Sequence, residues 1–580
     1  MKTYHKINYE NRITNFLKGV QKDPYLFFLK KIQTSYPNAN IYLVGGMVRD
    51  LALGKTSKDY DLVITGIPPK KLKPFLEKLG KVNLVGKSFG VYKFYPKLQA
   101  TSYKLQAETD IALPRTEHSF GTGGYRDVEV QSDYRLPIEK DLERRDFTIN
   151  AMALDLKFPS SKFQFPMKES LRDDTLKFKN SKFKIDSKFK IQNSRLLVDP
   201  FDGLGDLQKK LIRCVGNPNE RFKEDYSRML RALRFSVQLG FDIEKNTWQA
   251  ILKNVKKINQ TRKSKFKKDL QATGHKLQAN EYIVPREIIA KELIKMFSVD
   301  PIASLKILDA SGMLKLLMPE LLKMKKCPQP KKFHAEGDVW MHTLIALDIL
   351  RSKKFAKEFF ESAINPKSKI QMSNQIQNQN FKFQISSFKL PAELVWSLLF
   401  HDLGKPYTMT KTDRIRFNGH DIKSAKLFSE ISDRLKLSSA GLNVEKTKKI
   451  IERHMILTHG NIENMRETTV EKYFFNTQFP GIELMMHSFC DVSATIPPSG
   501  KPDFTKYRLL KKRIASLKNK VKAKRELPPD ILDGNEIMKI LEIPSGKKVG
   551  EIKEYLRELQ LKGKIKTKQE ATTVLLKQFT

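Results

Sequence analysis

The hydrophobic pattern near the start of the chain predicts strands that alternate with short helices. Residues 41–44 form a β-branched and apolar run that is typical of a buried strand, and two glycines follow it. Residues 48–54 have helical spacing and end at a glycine, while 59–64 and 109–117 again have strand character. The first part of the chain is therefore predicted to mix strands and helices.

Helical spacing predominates farther along the chain. We predict that a helix begins at Glu224, with its apolar positions on one face. These positions are Met229, Leu230, Ala232, Leu233, Phe235 and Val237. Another helix follows residue 342, and residues 396–400 end a further one.

Short sequence motifs recur in four stretches, at 97–108, 158–194, 264–281 and 367–390. One motif is Lys-Leu-Gln-Ala, and the other is Ser-Lys-Phe-Lys-Ile. The stretches have a monotonous Lys, Phe, Gln and Ser composition and lack helix caps, so we interpret them as insertions into surface loops.

Composition adds a strong basic character. The 580 residues are 40% hydrophobic, which excludes global disorder, and their net charge is +43. The four repetitive stretches carry +12 of this charge, which leaves +31 on the rest. Such an excess favours a polyanionic partner, with nucleic acid first and an anionic membrane second. A general lysine bias is the alternative.

The chain has no signal-like apolar segment at its start and no run of eighteen apolar residues. Its three cysteines are Cys214, Cys327 and Cys490, without CxxC spacing. We therefore expect a cytoplasmic protein with neither disulfides nor a cysteine zinc site.

Candidate chemistry appears first at the Gly45-Gly46 turn. A strand, a glycine turn and a helix start can present backbone N–H groups to a phosphate, with Arg49 nearby as a clamp. Asp59 and Asp61 share one face of the next predicted strand, which indicates a divalent cation between them. By themselves, however, these features are more often an ordinary turn and an exposed acidic strand end.

Asp110 supplies a third carboxylate from the following predicted strand. Three acids on neighbouring strands suit two magnesium ions that bridge an attacking hydroxyl and a nucleoside triphosphate.

Four motifs resemble, in order, those of class II CCA-adding tRNA nucleotidyltransferases and bacterial poly(A) polymerases. They are GGMVRDLALGKTSKDYDLVITG, DIALPRTEHSFGTGGYRDVEV, DLERRDFTINAMALDL and RFKEDYSRMLRALRFSVQLGF. The resemblance implies an α+β protein, with a small mixed-sheet head of the polymerase-β-like nucleotidyltransferase type, all-α domains after it, and low-complexity loop insertions. It also implies that Asp59, Asp61 and Asp110 hold two Mg²⁺ ions, and that Gly45, Gly46 and Arg49 hold the triphosphate.

The third motif contains Arg144, Arg145, Asp146 and Asn150. The arginines suit phosphate contacts, and the other two side chains can hydrogen-bond a ribose hydroxyl. An exposed salt bridge at a helix start is the alternative.

The fourth motif predicts base selection. We expect Asp225 and Arg228 to share a helix face and to form one planar donor and acceptor edge. The resemblance implies that Glu224, Asp225 and Arg228 act as a protein template for CTP and ATP. An ordinary ion pair is the alternative. Arg231 and Arg234 continue a basic ridge that could contact RNA phosphates. Arg286 lies in a segment that resembles the family's next motif.

The region after residue 330 resembles the HD metal-dependent phosphohydrolase module that many bacterial CCA-adding enzymes carry. His342, His401, Asp402 and Asp491 fit the ligands of a transition metal or of Mg²⁺. His420, His454 and His487 could serve a second metal or bind phosphate. The resemblance implies hydrolysis of a 2′,3′-cyclic phosphate or a 2′-nucleotide, and a purely structural all-α scaffold is the alternative.

The tail resembles the family's C-terminal helical unit, in which Lys547 and Lys548 lie at a turn that suits an RNA backbone. The predicted division is a head (1–157), an insert (158–194), a base-selection and RNA-binding domain (195–330), an HD domain (331–500) and a tRNA-binding tail (501–580).

The predicted function is addition of CCA to the acceptor end of tRNA from CTP and ATP, with no membrane and no obligate protein partner. A poly(A) polymerase and an enzyme that adds only A are the alternatives. An HD phosphohydrolase and a non-catalytic RNA-binding protein are more remote.

Overall fold

The computed structural model describes residues 9–55, 60–85, 91–97, 108–124, 127–156, 196–263, 280–360, 391–459, 462–522 and 529–579. The chain forms two compact units, residues 1–285 and 286–580. The finer division into five segments stays a prediction. The inserts at 158–194 and 367–390 lie outside the described residues, as do most of the other two and Asp59.

A seven-stranded mixed sheet organises the first unit. Its strand order is β3-β4-β5-β2-β1-β8-β9, in which β2 and β5 are parallel and every other neighbouring pair is antiparallel. The strands are β1 (Asn40–Val44), β2 (Tyr60–Thr65), β3 (Gly80–Val85), β4 (Val91–Pro96), β5 (Thr109–Ala112), β8 (Ala153–Asp155) and β9 (Leu197–Val198). The predicted mixed-sheet head is thus confirmed.

Smaller two-stranded sheets complete the β-structure of this unit. They are formed by β6 (Arg115–Ser119) with β7 (Val128–Ser132), β10 (Leu211–Ile212) with β11 (Asp242–Ile243), and β12 (Thr261–Lys263) with β13 (Asn280–Tyr282). The predicted strand at 109–117 is therefore two strands, because Pro114 separates β5 from β6 and cannot donate to a ladder.

Two of the repetitive stretches join strands that pair with each other. β4 and β5 are antiparallel partners on either side of residues 98–107, and β12 and β13 flank residues 264–279 in the same way. Residues 280 and 281 were predicted to belong to an insert, but they form the start of β13. Both insertions thus connect the two arms of a hairpin.

The helices of the first unit lie between and after the strands. They are α1 (Tyr9–Lys22), α2 (Phe27–Ser35), α3 (Gly46–Ala52), α4 (Pro69–Glu77), α5 (Ile138–Glu143), α6 (Gly203–Lys209), α7 (Pro218–Glu224), α8 (Ser227–Leu239) and α9 (Lys245–Asn254). The helix α8 buries Met229, Leu230 and Leu233, as its spacing predicts.

The predicted helix start at Glu224 is wrong. Glu224 ends α7, and Asp225 has an extended backbone at φ −155°. The Asp225 carboxylate accepts a hydrogen bond from the backbone N–H of Ser227 at 2.8 Å. A short acidic side chain that bonds the backbone two residues ahead favours a turn over a continuous helix.

The second unit is almost entirely helical. Its first helices are α10 (Arg286–Phe297), α11 (Pro301–Ala310), α12 (Met313–Leu317), α13 (Val339–Ile349), α14 (Lys353–Phe360), α15 (Ala392–Phe400) and α16 (Lys405–Thr408). They are followed by α17 (His420–Leu435), α18 (Val444–Arg453), α19 (Ile456–His459), α20 (Glu467–Phe474), α21 (Gly481–Ala494) and α22 (Thr505–Lys522). A small hairpin pairs β14 (Thr410–Lys411) with β15 (Ile415–Arg416).

The helix α15 forms the centre of this unit. All its residues from Leu394 to Phe400 are buried, because α15 packs against α13, α18 and α21. A helix that is apolar on every side must be enclosed by its neighbours. The chain leaves this core at His401, so the residues at the end of α15 lie in the interior.

The C-terminal helices α23 (Gly534–Leu541), α24 (Lys547–Leu561) and α25 (Lys568–Phe579) pack around their own cluster, which includes Ile537, Ile552 and Leu575. All three cysteines are buried and free. Within the described ranges, no helix has the length and apolar character needed to span a membrane.

Candidate functional site

Two of the predicted catalytic acids lie side by side in the sheet. Asp61 on β2 is in register with Asp110 on the parallel strand β5, and directly opposed residues point to the same face. The Asp110 Oδ1 atom is buried and accepts no hydrogen bond from any described residue. Its nearest ion-pair partner is Lys93 Nζ, 3.6 Å away on β4. Adjacent carboxylates, one of which has a buried oxygen without a hydrogen bond, fit a hard cation such as Mg²⁺.

The glycine turn lies next to these acids. Gly45 has φ +75°, and a Cβ atom there would be 2.8 Å from Arg145 Nη1 and 3.9 Å from Asp61 Oδ2. The next residue begins α3, which carries Arg49, and Arg49 Nη2 lies 3.4 Å from the Cβ position of Gly46. Two guanidinium groups thus lie at the glycine turn, whose Gly45 is next to Asp61, and this arrangement suits a triphosphate.

A buried carboxylate that the sequence analysis missed fixes both arginines of the third motif. Asp141 lies on α5 and is fully buried, with Arg144 at 2.8 Å and Arg145 at 3.2 Å. Burial alone would raise the pKa of Asp141, but the two guanidinium groups outweigh it and lower the pKa. Arg144 also pairs with Glu117 at 2.6 Å. The i+3 and i+4 spacing from Asp141 was the available signal.

Asp146 and Asn150, which were predicted to contact ribose, bond to each other and to other predicted site residues. Asn150 Nδ2 donates to Asp146 Oδ1 at 3.3 Å, and Asn150 Oδ1 accepts from Arg49 Nη1 at 2.7 Å. Arg231 on α8 donates to Asp146 Oδ2 at 2.9 and 2.5 Å. Burial raises the pKa of Asp146, but Arg231 dominates and lowers it. These contacts link the phosphate clamp to α8.

Phe235 lies beneath this network. The guanidinium carbons of Arg49, Arg231 and Arg234 lie 5.3, 5.8 and 3.9 Å from its ring centroid. Arg234 is only 6% exposed and bonds Gln238, so it does not extend a basic ridge into solvent. The reason is that the aromatic face of Phe235 attracts the guanidinium group into the interior.

The three template residues are brought together, but with a different pairing from the predicted one. Arg228 on α8 forms an ion pair with Glu224 and donates to the Arg221 carbonyl at 3.2 Å. Asp225 instead caps the turn through Ser227, and burial raises the pKa of its carboxyl group. Asp225 therefore does not share a helical face with Arg228.

Lys547 and Lys548 begin α24 and are exposed, as an RNA contact requires. The Lys547 side chain is 93% exposed and lies 3.7 Å from Glu551. Arg286 begins α10 in the second unit and is buried.

The four predicted HD ligands meet in the interior of the second unit. His342 Nε2 on α13 lies 3.0 Å from Asp491 Oδ1 on α21. His401 Nε2, after α15, lies 3.2 Å from Asp402 Oδ2 and 3.7 Å from Asp491 Oδ1. Three helices that are distant in sequence thus direct two imidazoles and two carboxylates to one point, which fits a divalent metal.

Two further histidines complete the cluster on the other side of Asp402. His420 begins α17 and His454 follows α18, and their Nε2 atoms lie 3.4 and 3.8 Å from Asp402 Oδ1. Gly404 permits this approach, because a Cβ atom there would lie 2.2 Å from the His420 carbonyl oxygen. His487 is fully buried, and its ring centroid lies 5.2 Å from that of His401 and 5.8 Å from that of His454.

Glu336 and Lys405 are parts of the centre that the sequence analysis missed. Glu336 accepts hydrogen bonds from His334 and from His342 Nδ1, which orients the latter ring. Burial would raise the pKa of Glu336, but the bonds to the two histidines lower it to about 2. Burial would lower the pKa of His342, yet Asp491 and Glu336 raise it to about 9.

Lys405 is buried, and its Nζ atom lies 2.7 Å from Asp402 Oδ2. The same Nζ atom donates a hydrogen bond to Gln329 Oε1 at 2.8 Å. Its position three residues after Asp402 was the only signal in the sequence.

Comparison with known proteins identifies one domain in each unit. Residues 41–175 match the poly(A) polymerase head domain, and residues 374–475 match the HD domain. The Multifunctional CCA protein of Nitrosomonas europaea is 26% identical over 433 residues, which cover 74% of this chain and 78% of the relative. The A-adding tRNA nucleotidyltransferase of Deinococcus radiodurans is 25% identical over 91% of this chain and 93% of its own.

The chain thus contains a poly(A) polymerase head domain and an HD domain, and it is similar to proteins named as CCA-adding and A-adding enzymes of tRNA. It is a nucleotidyltransferase. The fold agrees with a CCA-adding enzyme solved in an apo form, with a TM-score of 0.51 and 20% identity over 97% of this chain and 96% of that one. The CCA-adding enzyme of Bacillus stearothermophilus, solved with CTP, gives a TM-score of 0.50 and 18% identity over 94% of both chains.

The HD match includes His401, Asp402, His420 and His454, whereas Asp491 and His342 lie outside it. Only the packing of α13 and α21 against α15 brings these last two residues to the centre.

Proposed function

We propose that this nucleotidyltransferase adds CCA to the 3′ end of tRNA, with CTP and ATP as substrates. The 3′-hydroxyl attacks the α-phosphate, the bond to the β-phosphate oxygen breaks, and pyrophosphate leaves. The names of the relatives and the base-selecting motif support this proposal. The net charge of +31 that remains outside the repetitive stretches supports a polyanionic substrate.

Asp59, Asp61 and Asp110 would hold Mg²⁺ at the head. Bound Mg²⁺ lowers the pKa of the attacking hydroxyl and neutralises charge on the phosphates. The chain itself orients the nucleotide, because Arg49 and Arg145 surround the turn at Gly45 and fixed guanidinium groups suit phosphate oxygens.

Asp141 holds the two arginines of the third motif in place without any metal. It is buried and paired with Arg144 and Arg145, so the arginines are ordered before a nucleotide arrives. Prior ordering reduces the entropy lost on binding and on reaching the reactive geometry.

Base choice would rest on Glu224, Asp225 and Arg228. A carboxylate and a guanidinium offer acceptors and donors that can match the Watson–Crick edges of cytosine and adenine. The Glu224–Arg228 ion pair means that Arg228 is oriented by a residue of the preceding helix. We infer that Glu224 positions Arg228 and that the turn at Asp225 sets the distance between them.

The observation that carries the proposal is the register of Asp61 with Asp110. Asp110→Asn should reduce nucleotide incorporation at least a thousandfold while tRNA binding changes less than twofold. Asp242→Asn is the matched control, because Asp242 is an exposed aspartate in a strand of the same unit. Full incorporation by the Asp110 variant would refute the proposal.

The same assay separates the alternatives. Incorporation of CTP into tRNA that lacks CCA supports CCA addition, whereas activity only on tRNA that ends in CC indicates an A-adding enzyme. Long adenosine extensions on unrelated RNA indicate a poly(A) polymerase.

We also propose a second activity, metal-dependent hydrolysis of a phosphate ester at the HD centre. The buried cluster of His342, His401, Asp402 and Asp491 carries this proposal, because a bound metal polarises a phosphoryl oxygen. The test is release of phosphate or opening of a 2′,3′-cyclic phosphate by the intact protein and by Asp402→Asn. Equal activity in both proteins would refute it.

A further inference from the structure

A basic pocket lies between α14, α21 and α22 of the second unit, and its residues belong to neither of the sites described above. Its volume is about 730 Å³, which is in the range of pockets that bind small molecules. Its charged lining residues are Lys354, Lys357, Arg508, Lys511 and Glu358. The lining therefore carries a net charge of +3.

Three buried aromatic rings form the apolar wall of this pocket. They belong to Phe489 on α21, to Phe504 just before α22 and to Tyr507 on α22. The centroid of Phe489 lies 5.4 Å from that of Phe504 and 5.6 Å from that of Tyr507. Because each ring packs against the other two, the wall is already assembled without a ligand.

Glu358 neutralises only one of the cations. Its carboxylate accepts a hydrogen bond from the Tyr507 hydroxyl at 2.9 Å and pairs with Lys511 at 2.6 Å. Lys354 and Lys357 are exposed and form no ion pair with a residue that the structure describes. Lys354 Nζ lies 4.0 Å from the ring centroid of Phe504. Cations without a counter-ion on the protein attract an anion from solution.

The helix α22 adds to the positive potential at the pocket. Its 18 residues include eight lysines and arginines and no acidic residue. A solvated helix face usually carries charges of both signs, whereas a run of one sign is typical of an element that contacts a polyanion. Arg508 and Lys511 belong to this run and also line the pocket.

The pocket and the HD centre lie on different sides of α21. Phe489 lines the pocket, whereas Asp491 lies 3.0 Å from His342 in the HD centre. Residues two positions apart on a helix point in directions that differ by about 200°. The pocket is therefore a separate site and not an extension of the HD centre.

We propose that this pocket binds a nucleotide through its phosphate group, either as a free nucleotide or as one unit of an RNA strand. Lys354 and Lys357 would contact the phosphate oxygens, because an ammonium group binds phosphate as a point charge. The pocket is larger than a phosphate group, and its aromatic wall suits the ribose and the base. The proposal goes beyond the proposed function, because neither the transfer reaction nor the hydrolysis uses this site.

The test compares double variants of the full-length chain. Lys354→Met with Lys357→Met removes two charges from the pocket and retains apolar side chains of similar length. Lys426→Met with Lys446→Met is the matched control, because these lysines are exposed on α17 and α18 of the same unit and do not line the pocket. Thermal unfolding confirms that each variant is folded.

The first measurement is the affinity for a short single-stranded RNA at several salt concentrations. Each phosphate contact with a single strand contributes about 0.7 to the slope of log affinity against log salt, so the pocket variant should lose about 1.4 of this slope. Its affinity should fall about tenfold at low salt. The control should keep the parent's slope and affinity, and Lys354→Arg with Lys357→Arg should do the same.

The second measurement counts bound ATP by equilibrium dialysis. If a free nucleotide is the ligand, the pocket variant should bind one ATP fewer than the parent and the control. A loss in either measurement that is confined to the pocket variant supports the proposal and identifies the source of the phosphate.

Parent-like results for the pocket variant in both measurements would overturn the proposal, and so would an equal loss in the control. A protein that shows the pocket effect but incorporates no nucleotide into tRNA would refute only the proposed function, so the two failures are distinguishable.

Discussion

Arg231 on α8 donates two hydrogen bonds to Oδ2 of the buried Asp146. This pair joins α8, which carries the template residue Arg228, to the loop that carries Arg145 and Asp146. The clamp residue Arg49 reaches the same network through Asn150. The contacts that would recognise a base and those that would hold a triphosphate therefore belong to one polar network.

Removal of the Arg231 guanidinium should destabilise the first unit. Arg231→Met leaves the buried Asp146 carboxylate without its cation, and hydrogen bonds to charged groups contribute about 1.5–3 kcal/mol. Because Arg231 is partly exposed, we expect a loss of about 2 kcal/mol at pH 7, measured by urea unfolding. Arg508→Met, in the second unit, is the control. An unchanged free energy of unfolding would contradict the prediction.

The same pair predicts a pH dependence. The folded pKa of Asp146 is lowered, so its contribution to stability is present above the unfolded value, about 3.9, and is lost as the pH falls through the folded pKa. In Arg231→Met, burial should raise the folded pKa of Asp146, so the remaining stability should rise as the pH falls toward 4. Unfolding at pH 7 and pH 4.5 checks this. Parallel pH profiles of the two proteins would refute it.

Gly45→Ala should abolish nucleotide incorporation. The substitution adds strain of about 1–2 kcal/mol at φ +75° and a clash with Arg145 Nη1 at 2.8 Å. Gly240→Ala is a matched control, because Gly240 has φ +67° with no atom within 4 Å of its Cβ position. The control, which is in the left-handed helical region at ψ 36°, should lose some stability and keep its activity. Equal activities of the two variants would show that only backbone strain matters.

Phe235→Leu should raise the KM for both CTP and ATP roughly tenfold and change tRNA affinity little. The ring supports Arg49, Arg231 and Arg234, and cation–π contacts contribute about 0.5–2 kcal/mol each. Phe241→Leu controls for the loss of a buried aromatic ring elsewhere in the unit. An unchanged KM with a lower melting temperature would show that Phe235 only packs.

Glu336→Gln should weaken metal binding at the HD centre by roughly 10–100-fold without changing the number of sites. The carboxylate bonds His342 Nδ1 at 2.9 Å and so holds that ligand in the orientation that the metal requires. Titration with Co²⁺, followed by visible absorption, measures the affinity. Glu358→Gln is the control in the same unit. Unaltered affinity would exclude the positioning role.

Replacement of residues 98–107 by Asn-Gly should leave incorporation and tRNA affinity within twofold of the parent. The pairing of β4 with β5 places Phe94 opposite Thr109, and a short turn can join these strands. A collapse of tRNA binding would show that the insertion belongs to the RNA surface.

The sequence by itself determined the local chemistry of this protein. The apolar run before Gly45, the glycine turn and the helix after it form as their pattern predicts, because these choices depend on neighbours in the chain, although α3 begins two residues earlier than the predicted helix. The paired acids, the arginine motif and the His-Asp dipeptide are also evident in the sequence, as is the basic character that remains without the inserts.

Only the tertiary structure decided which side chains meet. Asp61 and Asp110 are adjacent because β2 and β5 pair in register, which strand alternation alone does not specify. Asp225 lies outside the helix because its carboxylate accepts a hydrogen bond from Ser227. Arg234 is buried instead of contributing to a basic surface, because its guanidinium group packs on Phe235. The histidines that surround the two carboxylate oxygens of Asp402 come from helices that are far apart in sequence. Such pairings are selected by long-range packing, and no local pattern records them.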